Sequence, residues 1–543
     1  VARAGHLTGA RRRVAGLTLL ALIPVGFLAV FFAWPVVAIV GLGFSSGGVT
    51  ETLMETQTWE LAGFTLAQAA ASTAVAVMAG MPVAFLLARV RLRGVAAVRT
   101  LILIPFVLPT VVVGLAFRAL LPEGGVLSIV LANAFFNVAV VARTVAGLWA
   151  HTDRRIEDAA RALGASPWRA FRTVTLPALA PAITSSAAVV FLFSATSFGV
   201  VLMLGGSRYR TLETEIYLRT VNLLDLSGAA ALSLVQFAAV VAALVLGAMA
   251  RRRRESAVRL RARVETARRP EGAERWAAGA AAVVLVLLLT PIVALLLRSV
   301  SGPGGWSLDG YRALAGTGEN GALAVSGWDA ALNSLRTASD ATMLAMTVGL
   351  LACVVLVSLR RTPDRAARAA GETLDAALML PLGVSAVTVG FGYLITLDAL
   401  PGDLRTSPLL VPFAQALVII PLIVRMVLPV LRSVDERLRQ AATTLGARPL
   451  RVWREIDLPL TARSVVAAAA FGYVVALGEF GATSFLARPD APTLPVAVAT
   501  LISRPGPLNN QMAYAACAML MVVTALVVAV IDRLRAGSTV GEF

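Results

Sequence analysis

Residues 157–177 read EDAARALGASPWRAFRTVTLP, and residues 439–459 read RQAATTLGARPLRVWREIDLP. Aligned at Gly164 and Gly446, segments 151–177 and 433–459 match at twelve of 27 positions, including Asp153/Asp435, Ala159/Ala441, Ala160/Ala442, Leu163/Leu445, Pro167/Pro449 and Pro177/Pro459. The same offset of 282 brings Phe198-Gly199 onto Phe480-Gly481 and Thr211-Leu212 onto Thr493-Leu494. At 276, Pro105 and Gly114 meet Pro381 and Gly390. A repeat of this length makes the chain a tandem duplication. Each copy of the quoted stretch is a polar island between long apolar runs.

Those runs set the class. Of 543 residues, 58% are hydrophobic and 15% charged, with a mean hydropathy of +0.80, which favours a polytopic membrane protein. A spanning helix needs ~20 mostly apolar residues. About twelve runs qualify, at 14–43, 62–88, 100–120, 126–149, 178–204, 228–250, 276–298, 335–358, 374–397, 408–431, 463–486 and 511–532. The first, behind Arg11–Arg13, is too long for the apolar core of a cleavable signal and reads as a membrane helix. The expected fold is therefore all-α and polytopic, with two six-helix halves in tandem. The first half covers 1–250 with its polar motif at 153–177. A basic linker at 251–275 leads to the second half, 276–543, with its motif at 435–459. An even number of spans per half gives both halves one orientation, and parallel repeats of this kind are related by a pseudo-two-fold along the membrane normal.

Arginine decides which way the chain faces. All 48 basic residues are Arg, since the sequence holds no Lys. Alternating twelve spans from a cytoplasmic N-terminus puts 38 Arg on the cytoplasmic side and ten on the other, as the positive-inside rule requires. Both termini and both polar motifs then face the cytoplasm. The net charge of +17 needs no nucleic acid to explain it, because Arg flanking a membrane sets topology and touches anionic lipid.

Several chemistries are excluded or disfavoured. A phosphate-binding loop of the G-x-x-x-x-G-K-[ST] type needs a Lys, so ATP hydrolysis of that kind falls to a partner. Cys353 and Cys517 lie alone in apolar runs and read as small buried hydrophobes. His6 and His151 are too few for a histidine metal centre, and no HExxH, Ser/His/Asp set or carboxylate cluster suggests a membrane enzyme.

The motif itself reads as a helix, a stop and a second helix. From Asp153 to Leu163, Ala159, Ala160 and Leu163 share a small apolar face while Arg154, Arg155, Glu157 and Arg161 take others. Gly164 suits a left-handed C-terminal cap, and Pro167 suits the first turn of a short second helix that Leu176-Pro177 ends. Small residues on an exposed helix admit another protein's backbone. Two copies in one register therefore read as two docking sites.

EDAARALGASPWRAFRTVTLPALAP resembles the EAA coupling motif of membrane subunits of bacterial ATP-binding-cassette importers, whose pattern is E-A-A, three residues, Gly and a later Leu-Pro. The resemblance implies an ATPase contact through Glu157, Asp158, Ala159, Ala160, Gly164 and Pro177, with Asp158 in the acidic place. In the second copy it implies Gln440, Ala441, Ala442, Gly446 and Pro459, with Gln440 replacing the acid. That departure, and Arg463 where the first half has Pro181, imply that the two contacts differ. FFNVAVVAR (135–143), ATSFGVVLMLGGSRYRTLETEIY (195–217) and LGEFGATSFLARPDAPTLPVAV (477–498) are similar to the iron(III)/thiamine group of these permeases. Implied partners are two ATPase subunits using ATP and magnesium, an extracytoplasmic solute-binding protein and membrane lipid. The chain itself is expected to hold no cofactor or metal, to catalyse nothing and to move a small solute, thiamine or ferric iron, by alternating access in the inner membrane.

Ionisable groups within spans are costly and mark pathways or partners. Glu479 in span eleven, at the repeat position of Ser197, and Asp340 in span eight are the candidate pathway residues; Arg488 is a possible local partner for Glu479. Asn133, Asn137, Gln236 and Gln415 read as interhelical hydrogen-bonding groups. A secondary, ion-coupled transporter shares the layout of two parallel six-helix halves. It would need several deep acidic or histidine sites and no cytoplasmic docking motifs.

Overall fold

The computed structural model describes residues 19–45, 48–91, 95–252, 270–272, 274–302, 304–362, 364–396 and 407–536. Most of the basic linker and both chain ends lie outside the described residues. Among the described residues ten helices are long and apolar enough to cross a membrane, and two bent pairs raise the number to twelve. In chain order each half repeats the same series. Leu19–Phe44, Thr56–Arg89, a bent pair, Val126–Trp149, Pro167–Ala195 and Leu226–Arg252 are followed by Glu274–Ser299, Gly327–Arg361, a bent pair, Leu410–Ser433, Leu450–Gly478 and Pro507–Ala536. Among the described residues the strands amount to one small hairpin, Ser301–Gly302 with Gly305–Trp306.

The third span of each half differs from expectation. Leu101–Val107 turns by 107° into Thr110–Leu120, and Arg365–Gly383 turns by 98° into Ala386–Thr396. Proline supplies the break: Pro109 caps the second limb in the first half, and Pro381 opens the turn before Ser385 in the second. The Ser385 hydroxyl accepts from the Val387 N–H at 3.0 Å, replacing a lost helical bond. Leu108, Val111, Ser385 and Val387 are buried in protein at these bends, the condition for non-helical backbone at membrane depth.

The limb after each bend packs on the segment that follows the fifth span of its half. A Cβ on Gly114 would stand 2.7 Å from Met203 Cβ, and one on Gly390 would stand 2.9 Å from Ala482 Cα. The glycines matched in sequence are thus matched in space by the same close approach. A second pair was not visible in the sequence. Gly80 lies under Val141, and Gly349 under Ile423, joining the second and fourth spans of each half. Small residues at such crossings let membrane helices approach closely.

The fifth spans also end sooner than the apolar runs suggest. Helix stops at Ala195 and at Gly478, and short helices Gly199–Leu204 and Thr483–Leu486 follow the breaks.

Contacts group the chain into two compact units that cut across the sequence halves. One comprises Val1–Leu42, Ala324–Ala497 and Val523–Phe543; the other comprises Gly43–Leu323 and Val498–Val522. The first helix of each half therefore belongs to the unit built on the other half. In the first unit Phe31 stacks on Phe413, with centroids 4.4 Å apart, and meets Tyr393 edge-on at 6.1 Å. In the second unit Glu274, at the start of its helix, pairs with Arg154. A six-span period in the sequence records chain order, and these contacts follow side-chain fit instead. Cys353 and Cys517 are fully buried and unpaired.

Candidate functional site: the paired exposed turns

Both polar motifs build the same object. Asp153 caps helix Arg154–Ala162 by accepting from the Arg155 N–H at 3.0 Å, and Asp435 caps Glu436–Thr444 through Arg437 at 2.9 Å. Each helix ends in a Schellman turn. The N–H of Ala165 bonds Ala160 O at 3.1 Å while Gly164 bonds Arg161 O, and Ala447 and Gly446 bond Ala442 and Thr443 likewise. Gly164 and Gly446 take φ of +89° and +83°, with nothing within 4 Å of where a Cβ would be. The glycines are there for the backbone, and the space beside them is open.

A second helix starts at Pro167, where the Ser166 hydroxyl accepts from the Arg169 N–H at 3.3 Å; Arg448 holds that cap position in copy two. Leu176-Pro177 does not end this helix. A π turn, Phe171–Thr175, carries it on into Leu176–Ala195, and Trp453–Asp457 does the same before Leu458–Gly478. Proline lacks an N–H and crowds the carbonyl four residues back. The widened turn just before Pro177 and Pro459 takes up that mismatch. Each motif is therefore continuous with a membrane helix.

Three large apolar side chains stand out from each turn at matching positions. Ile156, Leu163 and Trp168 are 58%, 89% and 68% exposed; Leu438, Leu445 and Leu450 are 48%, 88% and 76% exposed. Asp158, Ala159, Gly164 and Pro177 are exposed beside the first set, and Gln440, Ala441, Gly446 and Pro459 beside the second; Ala160 and Ala442 are half-buried. Exposed apolar groups ringed by charge mark an interaction surface. The sequence showed the alanines and Leu163 but not the contribution of Ile156 and Trp168, which needed the turn geometry. Glu157 departs from the rest: it turns inward and accepts the Thr175 hydroxyl at 2.9 Å.

Of the residues considered for the pathway, Ser197 and Glu479 fall into local networks, Ser197 together with the expected interhelical hydrogen-bonding groups. Ser197 donates to Asn133 Oδ1 at 2.7 Å, Asn133 to Gln68 at 3.1 Å, and Gln68 to Ser194 O at 2.7 Å. Gln415 reaches Thr483 at 3.4 Å, and Asn137 reaches Ser194 at 3.5 Å. Glu479 sits in the break after Gly478 and not within the span. Its carboxylate accepts from the N–H groups of Ala482 at 2.8 Å and Thr483 at 3.1 Å and from the Thr483 hydroxyl, which makes it a cap for Thr483–Leu486. Arg488 pairs with Asp490 at 3.5 Å. Asp340 is half-buried and has no hydrogen-bond or ion-pair partner among the described residues.

Sequence reading missed a buried charge cluster in TLETEIYLRT, 211–220. Glu213 binds Gln236, while Arg219 pairs with Glu55 at 2.9 Å, Glu215 at 3.4 Å and Asp225 at 3.5 Å. The second half has Pro495, Ala497 and Leu501 at the positions of Glu213, Glu215 and Arg219, so this feature belongs to one half alone.

With two turns of matching geometry, each continuous with a membrane helix, comparison with known proteins is decisive. The model of the family described as binding-protein-dependent transport system inner membrane component matches residues 76–255 and again 365–537. The chain belongs to this family. Each match contains one of the exposed turns and the helix that follows it. The chain is similar to the thiamine transport system permease protein ThiP of Brucella abortus, 26% identical over 482 residues that cover 84% of this chain and 85% of that one. ThiP of Escherichia coli is 26% identical over 421 residues, 76% of this chain and 73% of that protein. The molybdenum transport system permease protein ModB of Mycobacterium tuberculosis is 37% identical over 202 residues, 34% of this chain and 75% of its own length. The protein is thus a fused permease of an ATP-binding-cassette importer, a multi-pass inner membrane protein. Family membership sets aside the ion-coupled carrier.

Proposed function

We propose that this chain is the permease subunit of a thiamine importer. An extracytoplasmic binding protein delivers the solute, two ATPase subunits dock on the turns around Gly164 and Gly446, and alternating access carries the solute inward. The ATPases use the ATP and magnesium, and this chain carries no nucleotide site of its own. The turns and both termini face the cytoplasm, as the Arg distribution indicates. One observation carries the docking: three exposed apolar side chains recur at the same register on two turns, each continuous with a membrane helix. Movement of an ATPase against such a turn reaches the span directly.

Thiamine is favoured because the similarity to ThiP runs through both fused halves, whereas the similarity to ModB spans the length of one. The higher identity to ModB makes an oxyanion such as molybdate the second reading. Ferric iron rests on the shared segments at 135–143 and 195–217. A strain lacking the gene, complemented with the chain and assayed for uptake of labelled thiamine, molybdate and ferric iron, separates the three. Restored thiamine uptake alone is the expected result; restored molybdate uptake alone would overturn the assignment.

A further inference from the structure

The two coupling helices are braced to the spans they drive by the same tie made from different chemistry. In copy one the Glu157 carboxylate accepts the Thr175 hydroxyl at 2.9 Å. In copy two Arg439 stands at the position of Glu157 and Asp457 at that of Thr175, both offset by 282, and Arg439 Nε donates to Asp457 Oδ1 at 2.6 Å. Thr175, Arg439 and Asp457 are buried. Thr175 and Asp457 are each the last residue of a π turn, where the motif helix becomes the membrane helix. Arg439 also donates to Glu436 at 3.1 Å and to the carbonyls of Val434 and Leu431 at 3.1 and 3.2 Å. The sign reversal extends one turn back: Arg154 pairs with Glu274 in copy one, and Glu436 pairs with Arg361 at 3.2 Å in copy two.

Different residues making the same tie at the same place indicate that the tie itself is what both copies need. No neighbour lies within 4 Å of where a Cβ on Gly164 or Gly446 would stand, so the glycines themselves offer no side-chain brace between the two helices of the motif. The tie is a side-chain link from the helix before the turn to the helix after it, present in both copies at one register. We propose that 157 with 175, and 439 with 457, are struts that make each coupling helix and its following span move as one body. The residues act as positioning residues and touch no solute or nucleotide. The inference rests on ATPase docking at the turns.

The test uses the complex with its ATPase subunits in nanodiscs and ATP with magnesium and vanadate as the probe. Single cysteines at Ala187→Cys or Ala469→Cys, repeat positions half-buried on the two driven helices, report maleimide labelling rates; Cys353 and Cys517 are buried and give little background. In the otherwise unchanged chain ATP is expected to alter labelling at both sites by about fivefold or more, the low end of coupling between protein sites. Thr175→Val removes one hydroxyl at constant shape and should abolish the response at Ala187→Cys while the ATPase still co-purifies. Arg439→Gln leaves Asp457 buried without its cation and should abolish the response at Ala469→Cys. Adding Asp457→Thr to Arg439→Gln rebuilds a hydroxyl-to-oxygen tie at the register of copy one, without its charge, and should restore it. A full ATP response in the assembled Thr175→Val complex, or no rescue by the double change, overturns the strut. Failure of the unmodified chain to hold the ATPase overturns the docking reading instead.

Discussion

At the scale of single residues, backbone conformation was more legible than side-chain partnership. A Gly at the end of an alanine-faced helix predicts a left-handed cap, and Gly164 and Gly446 adopt it. Replacing either with Val forces a branched side chain into positive φ, at a cost of ~1 kcal/mol or more. Because no neighbour is crowded there, Gly164→Asn should retain ATPase co-purification where Gly164→Val loses it. Glu479 shows what a sequence withholds. Its placement in a span suggested a solute-facing carboxylate, yet the helix breaks at Gly478 and the group binds its own backbone. Glu479→Gln keeps one acceptor oxygen and leaves a buried amide donor group in a site made of donors, a loss of roughly 1–3 kcal/mol. Lower membrane abundance and an earlier thermal transition are expected for this variant. Slower uptake at unchanged abundance and melting temperature would instead place Glu479 on the pathway. The charges of Glu213 and Arg219 were overlooked because they follow an apolar run and look like a solvated loop, whereas packing buries them.

At the scale of elements, helix existence was readable and helix shape was not. Hydropathy counts apolar residues, and a bend of 107° leaves the count unchanged. The prolines and glycines at 105, 114, 381 and 390 were visible as a repeat, but the close approach that Gly114 and Gly390 serve needs a neighbour distant in sequence. The repeat also slips in register, from 269 at Gly80/Gly349 to 276 at Gly114/Gly390 and 282 beyond, so a fixed offset loses the second spans. The two glycines at the bends should be alike in their intolerance of a side chain. A Cβ on Gly114 would meet Met203 Cβ, which moves only with its own backbone, and one on Gly390 would meet Ala482 Cα. Gly114→Ala and Gly390→Ala are therefore each expected to lower the melting temperature, with overpacking costs of ~1–3 kcal/mol. An unchanged melting temperature in either variant would show that the crossing there yields without strain.

At the scale of the whole molecule, duplication and span number were legible, and the grouping into units was not. Each compact unit takes its first membrane helix from the other half of the chain. Two fragments, 1–252 and 270–543, should therefore be unstable when expressed singly and recover when co-expressed, as judged by protease resistance in membranes. Stable single fragments would mean that the exchanged helices contribute little. Coupling of these spans to ATP hydrolysis requires ATPase docking at both turns, and Leu163 and Leu445, 89% and 88% exposed, are the side chains that test it without disturbing the fold. The decisive measurement is native mass spectrometry of the purified complex carrying Leu163→Glu, Leu445→Glu or both. Two ATPase subunits on the unchanged chain and none on the double variant, at equal membrane abundance, is the expected result. Two ATPase subunits retained by the double variant would contradict it.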